Sequence, residues 1–149
     1  MTRIREEVSI QAPAEEVWNA VHVDLRNVPR WAGYLRQAES LRGRPGPGWE
    51  VRYDLELPGG FRTSLTLLHE VWNPFRRCAG IFSGGPLQGD WAYSYEESDG
   101  RTHLSYDMDY RLGGLMRFAG GMLKNQYAEG VREGMARLKR YLESGEGGG

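Results

Sequence analysis

"IQAPAEEVWNAVHVDLRNVPRWAGYLRQAESL", residues 10–41, is the stretch on which the architecture turns. Ahead of it, residues 3 to 11 alternate: Ile4, Glu6, Val8 and Ile10 on one parity, Arg3, Arg5, Glu7, Ser9 and Gln11 on the other. Apart from Glu6, that pattern predicts a half-buried strand. Pro13 suits a helix first turn, and Glu15 and Glu16 follow where the helix dipole favours negative charge. Val17, Trp18, Val21 and Leu25 recur at helical spacing and predict a buried face. Asp24 reads as the N-cap of a second, short helix that Pro29 curtails. Trp31 comes two residues after that helix breaker, so a large indole stands where the chain turns toward the rest of the molecule.

Downstream, from Gln37 to Leu112, the chain reads as nearly continuous strand, punctuated by "RPGPG" (44–48), "LPGG" (57–60), "NP" (73–74), "GGP" (84–86) and "SDG" (98–100). Trp49, Val51, Tyr53, Leu55 and Leu57 share one parity, with Glu50, Arg52, Asp54 and Glu56 on the other. Phe61, Thr63, Leu65, Leu67, His69 and Val71 form a second inward set. Trp91, Tyr93 and Tyr95 form a third, and Thr102, Leu104, Tyr106, Met108, Tyr110 and Leu112 a fourth. Strands joined by tight turns predict an antiparallel meander with one wet and one apolar face.

The chain closes with a helical segment over 114–143, about 45 Å long at 1.5 Å per residue. Leu115, Phe118, Ala119 and Met122 fall on one side of it, while Tyr127, Val131, Met135, Leu138 and Leu142 fall on another. Gly120 and Gly121 sit at the switch, where each costs about 1 kcal/mol relative to Ala inside a helix, so a kink is expected there. The segment 113–122 would then be a movable lid, a contact for a membrane surface, or a patch joining two copies in a homodimer. Gly130 and Gly134 make a smooth strip that lets the helix approach the sheet or leaves room above a ligand.

The element order is strand, two helices, about six strands, long helix. This predicts an α+β domain over residues 1–143 with a flexible Gly-rich tail at 144–149. Only the final helix is long enough to cover the apolar sheet face. A strongly twisted sheet wrapped round one helix has more concave surface than that helix fills, so an internal cavity is expected.

Composition narrows the function. The 149 residues carry 19 Lys+Arg against 20 Asp+Glu, lacking the basic excess that nucleic-acid binding uses against phosphates. Five Trp, eight Tyr and four Phe are a large stock of rings for lining apolar surface with polar handles. One cysteine, Cys78, leaves no intrachain disulfide and no thiolate cluster. The first residues lack a signal-peptide core and no stretch reaches 18 apolar residues, so a cytoplasmic protein without stable membrane insertion is the expectation.

Residues 10–41, above all Ala12 to Trp18, Asp24 and Pro29-Arg30-Trp31, resemble the N-terminal signature of the START-related, polyketide cyclase/dehydrase superfamily, also called SRPBCC or helix-grip. "GDWAYSYEESDGRTHLSYDMDYRLGG" (89–114) is similar to that family's last hairpin, and "LKRYLES" (138–144) to its close. The resemblance implies a helix-grip fold, β-α-α-β6-α, with the curved antiparallel sheet around the C-terminal helix. It implies that Pro29 ends the second helix and that Trp31 plugs one end of the sheet. The family has no invariant catalytic motif, so the resemblance carries fold rather than function.

Chemistry-bearing residues are few. No nucleotide-binding glycine fingerprint, Walker lysine loop, HExxH or Gly-x-Ser-x-Gly elbow occurs, and no cofactor is implied. Asp107 and Asp109 share a face, but the one opposite the apolar set, which reads as solvated rather than metal-binding. His103 reads as solvated on the same grounds, and His22, at the edge of the first helix's apolar stripe, as a surface or capping residue. His69 is expected to point inward, as a satisfied core histidine or as an acid/base and ligand contact. Thr63 is a weaker polar candidate on the same face.

Tyr53, Tyr93, Tyr95, Tyr106 and Tyr110 are expected inside, bonded to one another or orienting a ligand. Trp31, Leu65, Leu67, Trp91 and Met108, with Phe118 and Met122, complete the candidate wall. The expected function is binding a small hydrophobic molecule (a lipid, quinone or polyketide-like compound) as a carrier or sequestering protein. The alternative is an aromatase/cyclase or dehydratase-like enzyme with His69 as acid/base. An interaction protein ranks third, because no basic arm or extended surface motif serves it.

Overall fold

A computed structural model describes residues 2–57, 60–84, 87–113 and 120–145. Strand β1 (Thr2–Ile10) leads to helix α1 (Ala14–Trp18), a π turn (Asn19–Val23) and a 3-10 turn (Leu25–Arg30). Six strands follow: β2 (Leu35–Arg42), β3 (Glu50–Leu57), β4 (Phe61–Asn73), β5 (Arg77–Gly84), β6 (Leu87–Ser98) and β7 (Arg101–Leu112). Helix α2 (Gly120–Glu143) closes the chain. The seven strands form one antiparallel sheet in the order β1-β7-β6-β5-β4-β3-β2. This is the helix-grip architecture expected from the sequence.

Side-chain alternation explains the strands. Trp49, just ahead of β3, Val51 and Leu55 of β3, and Leu104, Met108 and Tyr110 of β7 are all buried on the inner face. The β6–β7 turn places Asp99 and Gly100 at φ 54° and 75°, the left-handed pair that a two-residue hairpin requires. Glu6, the exception in β1's pattern, faces α2, and both of its carboxylate oxygens accept from the Arg132 guanidinium, at 2.9 and 3.3 Å. Farther along, Lys139 Nζ donates to the Ser9 carbonyl at 2.8 Å, and the Gln11 backbone N–H donates to Glu143 Oε2 at 2.9 Å. These bonds hold α2 along the β1 edge, while Met135, Leu138, Tyr141 and Leu142 enter the core.

Several local expectations are corrected. Val71 is exposed and Trp72 packs against the core, because a bulge between His69 and Val71 reverses the side-chain parity. The Asp24 side chain does not cap the 3-10 turn; its Oδ2 accepts from Asn27 Nδ2 at 2.7 Å, so the side chain bonds a neighbouring amide instead of the orphan N–H groups. Pro29 lies inside the 3-10 turn, one residue before its end. The Gly130–Gly134 strip faces the loop at Trp31–Tyr34 rather than the sheet: a Cβ on Gly130 would overlap the Tyr34 ring, and one on Gly134 would lie 3.5 Å from the Trp31 carbonyl oxygen. The expected kink falls at the start of α2, and Leu115, Phe118 and Ala119 lie outside the described residues, as does the Met122 side chain.

Candidate functional site

Two adjoining gaps lie between the sheet and its helical cover. The helix-side gap, about 110 Å³ and partly open to solvent, is bordered by Gly130, Val131 and Gly134 of α2, by Trp31 and Tyr34 of the connecting loop, and by the sheet. The sheet-side gap, about 60 Å³, is bordered by Leu65, Leu67 and His69 of β4, by Phe82, by Trp91 and by Met108. Tyr53, Leu55, Tyr93, Tyr106 and Tyr127 border both. Every residue on these walls is aliphatic, aromatic, glycine, methionine or histidine, so no formal charge faces the space while the histidines are neutral.

Glycine sets one part of the geometry. His69, Gly80 and Trp91 stand in one cross-strand row on β4, β5 and β6. With no side chain on Gly80, the His69 and Trp91 rings meet above it edge-to-face, with centroids 5.2 Å apart. A Cβ there would overlap the Leu68 carbonyl oxygen and press Trp91 at 3.2 Å.

His69 is 5% exposed, and its Nδ1 donates to the Trp49 carbonyl at 2.9 Å. That bond assigns the proton to Nδ1 and leaves Nε2 as the unprotonated nitrogen. Burial pushes its pKa below the ordinary histidine value, partly opposed by the Trp49 carbonyl bond.

His22 overturns the surface reading. It is 4% exposed, its Nε2 lies 2.6 Å from the Tyr95 hydroxyl, and it lines the sheet-side gap. The cause is the π turn: with more residues per turn than an α-helix, it brings His22 back under Trp18, ring centroids 4.6 Å apart, instead of rotating it to the rim. Burial, and secondarily the nearby His69, drive its pKa well below the ordinary value. The one available sequence signal was the four-residue spacing from Trp18.

The tyrosines divide. Tyr53, Tyr93 and Tyr106 border both gaps, and burial raises each hydroxyl's pKa, so all three remain protonated donors. Tyr106 donates to Met108 Sδ at 3.2 Å. Tyr95 belongs instead to the packed cluster beneath α1, and Tyr110 is buried in the core, its ring 6.3 Å from Tyr127. Burial pushes the Tyr127 hydroxyl up to about 12 and the Cys78 thiol up to about 12. Thr63 is half-buried and borders an open surface depression with Arg36, Asp54 and Arg62, and it lines neither gap. Tyr34 and Tyr127, stacked with centroids 6.1 Å apart, were not among the expected wall residues. Outside, Asp107 accepts from Arg3 and Arg5, and His103 contacts Ser9 and Glu7, as solvated-face residues do. No group of three or more His, Cys, Asp or Glu able to hold a metal ion occurs among the described residues. No described helix is long and apolar enough to cross a membrane.

Solved structures share this architecture. A protein from Thermus thermophilus, TTHA0849, superposes with a TM-score of 0.81 at 16% identity, covering 96% of this chain and 98% of its own. A START superfamily protein from Mycobacterium smegmatis gives 0.78 at 19% identity, with 95% and 97% covered. The Zhui aromatase/cyclase from Streptomyces sp. R1128 gives 0.71 at 17% identity, with 95% of each chain covered. No curated protein is significantly similar to the chain in sequence. The family model described as "Polyketide cyclase / dehydrase and lipid transport" matches residues 1–143, and the chain belongs to that family.

Proposed function

We propose that the protein binds a small hydrophobic molecule in the space between α2 and the sheet, as a carrier or sequestering protein. The carrying observation is the helix-side gap of about 110 Å³, bordered by uncharged residues. Its size is of the order of the roughly 150 Å³ apolar cavity that accepts benzene in a protein core. It therefore suits one ring, or the ring-sized head of a longer lipid, quinone or polyketide-like molecule leaving by the open side. Ligand sites of this kind combine apolar walls with a few polar groups, and the Tyr53, Tyr93 and Tyr106 hydroxyls supply them.

The test is a titration of toluene into the protein followed by amide NMR, with native mass spectrometry of gently purified protein for a co-purified ligand. Saturable shifts at Tyr53, Tyr127 and Val131, lost in a Val131→Phe variant that remains folded, are expected. No saturable shift together with no co-purified species would remove the reading.

A second reading, an aromatase/cyclase or dehydratase-like enzyme, is favoured by one observation. The Trp49 carbonyl holds His69 with Nε2 bare at the gap, which is the form a general base needs. His69→Ala should then abolish turnover while toluene binding persists; unchanged turnover would remove His69 from the mechanism.

A further inference from the structure

The sheet-side gap is bordered by two imidazoles, each with one ring nitrogen hydrogen-bonded. A carbonyl oxygen only accepts, so His69 Nδ1, 2.9 Å from the Trp49 carbonyl, carries the hydrogen and Nε2 is bare. His69 Nε2 has no hydrogen-bond partner among the described residues. At His22 the Tyr95 hydroxyl lies 2.6 Å from Nε2; with Tyr95 as the donor, the imidazole hydrogen resides on Nδ1. Both rings flank the Trp91 indole, His22 stacked at 6.4 Å and His69 edge-on at 5.2 Å. One gap is thus bordered by a bare-nitrogen acceptor and, with Tyr95 donating, an N–H donor, both beside one aromatic plate.

Resting on the binding reading above, we propose that this pair selects ligands with an uncharged hydroxyl-bearing aromatic head, a phenol or its enol counterpart. The hydroxyl proton goes to His69 Nε2, and the oxygen lone pair lies on the side of His22 Nδ1–H. Two further observations agree. No carboxylate, guanidinium or ammonium of the described residues borders either gap, so a buried ligand charge would have no counter-charge, and burying an unpaired charge is strongly unfavourable. Burial also keeps both imidazoles neutral near pH 7, so neither ring supplies a cation for an anionic ligand.

The experiment uses four one-ring probes on the whole chain at pH 7.5: toluene, p-cresol, p-toluate and 4-methylbenzylamine, each titrated by amide NMR. A net neutral hydrogen bond corresponds to roughly a threefold to tenfold gain in affinity. p-Cresol should exceed toluene by about that factor, and the anion and the cation should each bind more weakly than toluene. In His69→Phe the ratio of p-cresol to toluene affinity should fall to about one, whatever the change in toluene affinity itself. 4-Methylanisole, which cannot donate, should match toluene on the wild type and keeps the test decisive if that variant fails to fold. Nitrogen-15 spectra of the imidazoles should show both histidines neutral and protonated on Nδ1.

Toluene binding without a cresol preference, p-toluate binding as tightly as p-cresol, or an Nε2–H or imidazolium form of either ring overturns this proposal and leaves hydrophobic binding standing. Failure of toluene and p-cresol alike overturns this proposal, and with no co-purified species it overturns the binding reading itself.

Discussion

Two ends of the same interior are built from the same kinds of ring, and they pack differently. Beneath α1, Trp18 is 2% exposed and meets Trp72 edge-on at 5.1 Å, His22 at 4.6 Å and Tyr95 at 5.3 Å. Rings that cross at steep angles fill one another's concavities, and the Tyr95–His22 bond pairs two of the polar atoms among them. Beneath α2, Tyr34 lies nearly parallel to Tyr127 at 6.1 Å, and the helix presents Gly130 and Gly134 where bulky residues would fill space. There the Tyr34 hydroxyl spans to the Gln126 carbonyl at 3.0 Å, and the gap remains below it. Aromatic content alone therefore decides neither a core nor a pocket. The angle between rings and the size of the residue opposite them do.

The largest test of this contrast removes the keystone of the closed end. Trp18→Ala should cost about 3–5 kcal/mol in urea unfolding, the range for truncating a buried large aromatic. A loss under about 1 kcal/mol would mean the closed end is not tightly packed. Next, Gly80→Ala should destabilise by about 1–3 kcal/mol as an overpacked site, and should disturb the His69 and Trp91 signals together in NMR. Silence at both rings would break the assignment of Gly80 as the space that lets them meet.

A graded effect follows from the buried histidines. Both have folded pKa values below the unfolded one, so the unfolded chain binds protons first as the pH falls. Their contribution is complete above the ordinary histidine value of about 6.5 and declines as the pH falls below it toward the depressed folded values. Melting temperature should fall between pH 7 and pH 5, and a folded His22→Phe variant should show a shallower fall. An unchanged slope would count against His22 being held neutral in the closed end.

The smallest effect separates the two glycines of the open end. Gly134→Ala meets its nearest neighbour at an ordinary 3.5 Å and should gain up to about 1 kcal/mol from helix propensity. Gly130→Ala must displace the Tyr34 ring, so its propensity gain should be offset by loss of the Tyr34–Gln126 bond. Equal gains in both variants would show that Tyr34 does not close the gap.

Much of the architecture was legible because strands with one dry face alternate with period two. Ile4 and Ile10, the set Trp49, Val51, Tyr53 and Leu55, and the β7 set face inward as their spacing required. His69 was found by the same rule. His22 was not, because helical periodicity assumes 3.6 residues per turn and a π turn does not keep it. Val71 and Trp72 exchanged places for the parallel reason in a strand, one extra residue at a bulge. Tyr34 lay in a connecting loop, where no periodicity points a side chain anywhere.

Residue spacing and residue type were enough for the order of elements, the sheet's inner face, the α2 stripe that covers it and the uncharged character of the interior. Those are local properties, readable along the chain. Three-dimensional packing was needed to show where the interior stays open, which tyrosines border the opening, and that two histidines from different elements share one gap. Such features depend on ring angles, on one wide helical turn and on contacts between residues dozens of positions apart, none of which a pattern along the chain encodes.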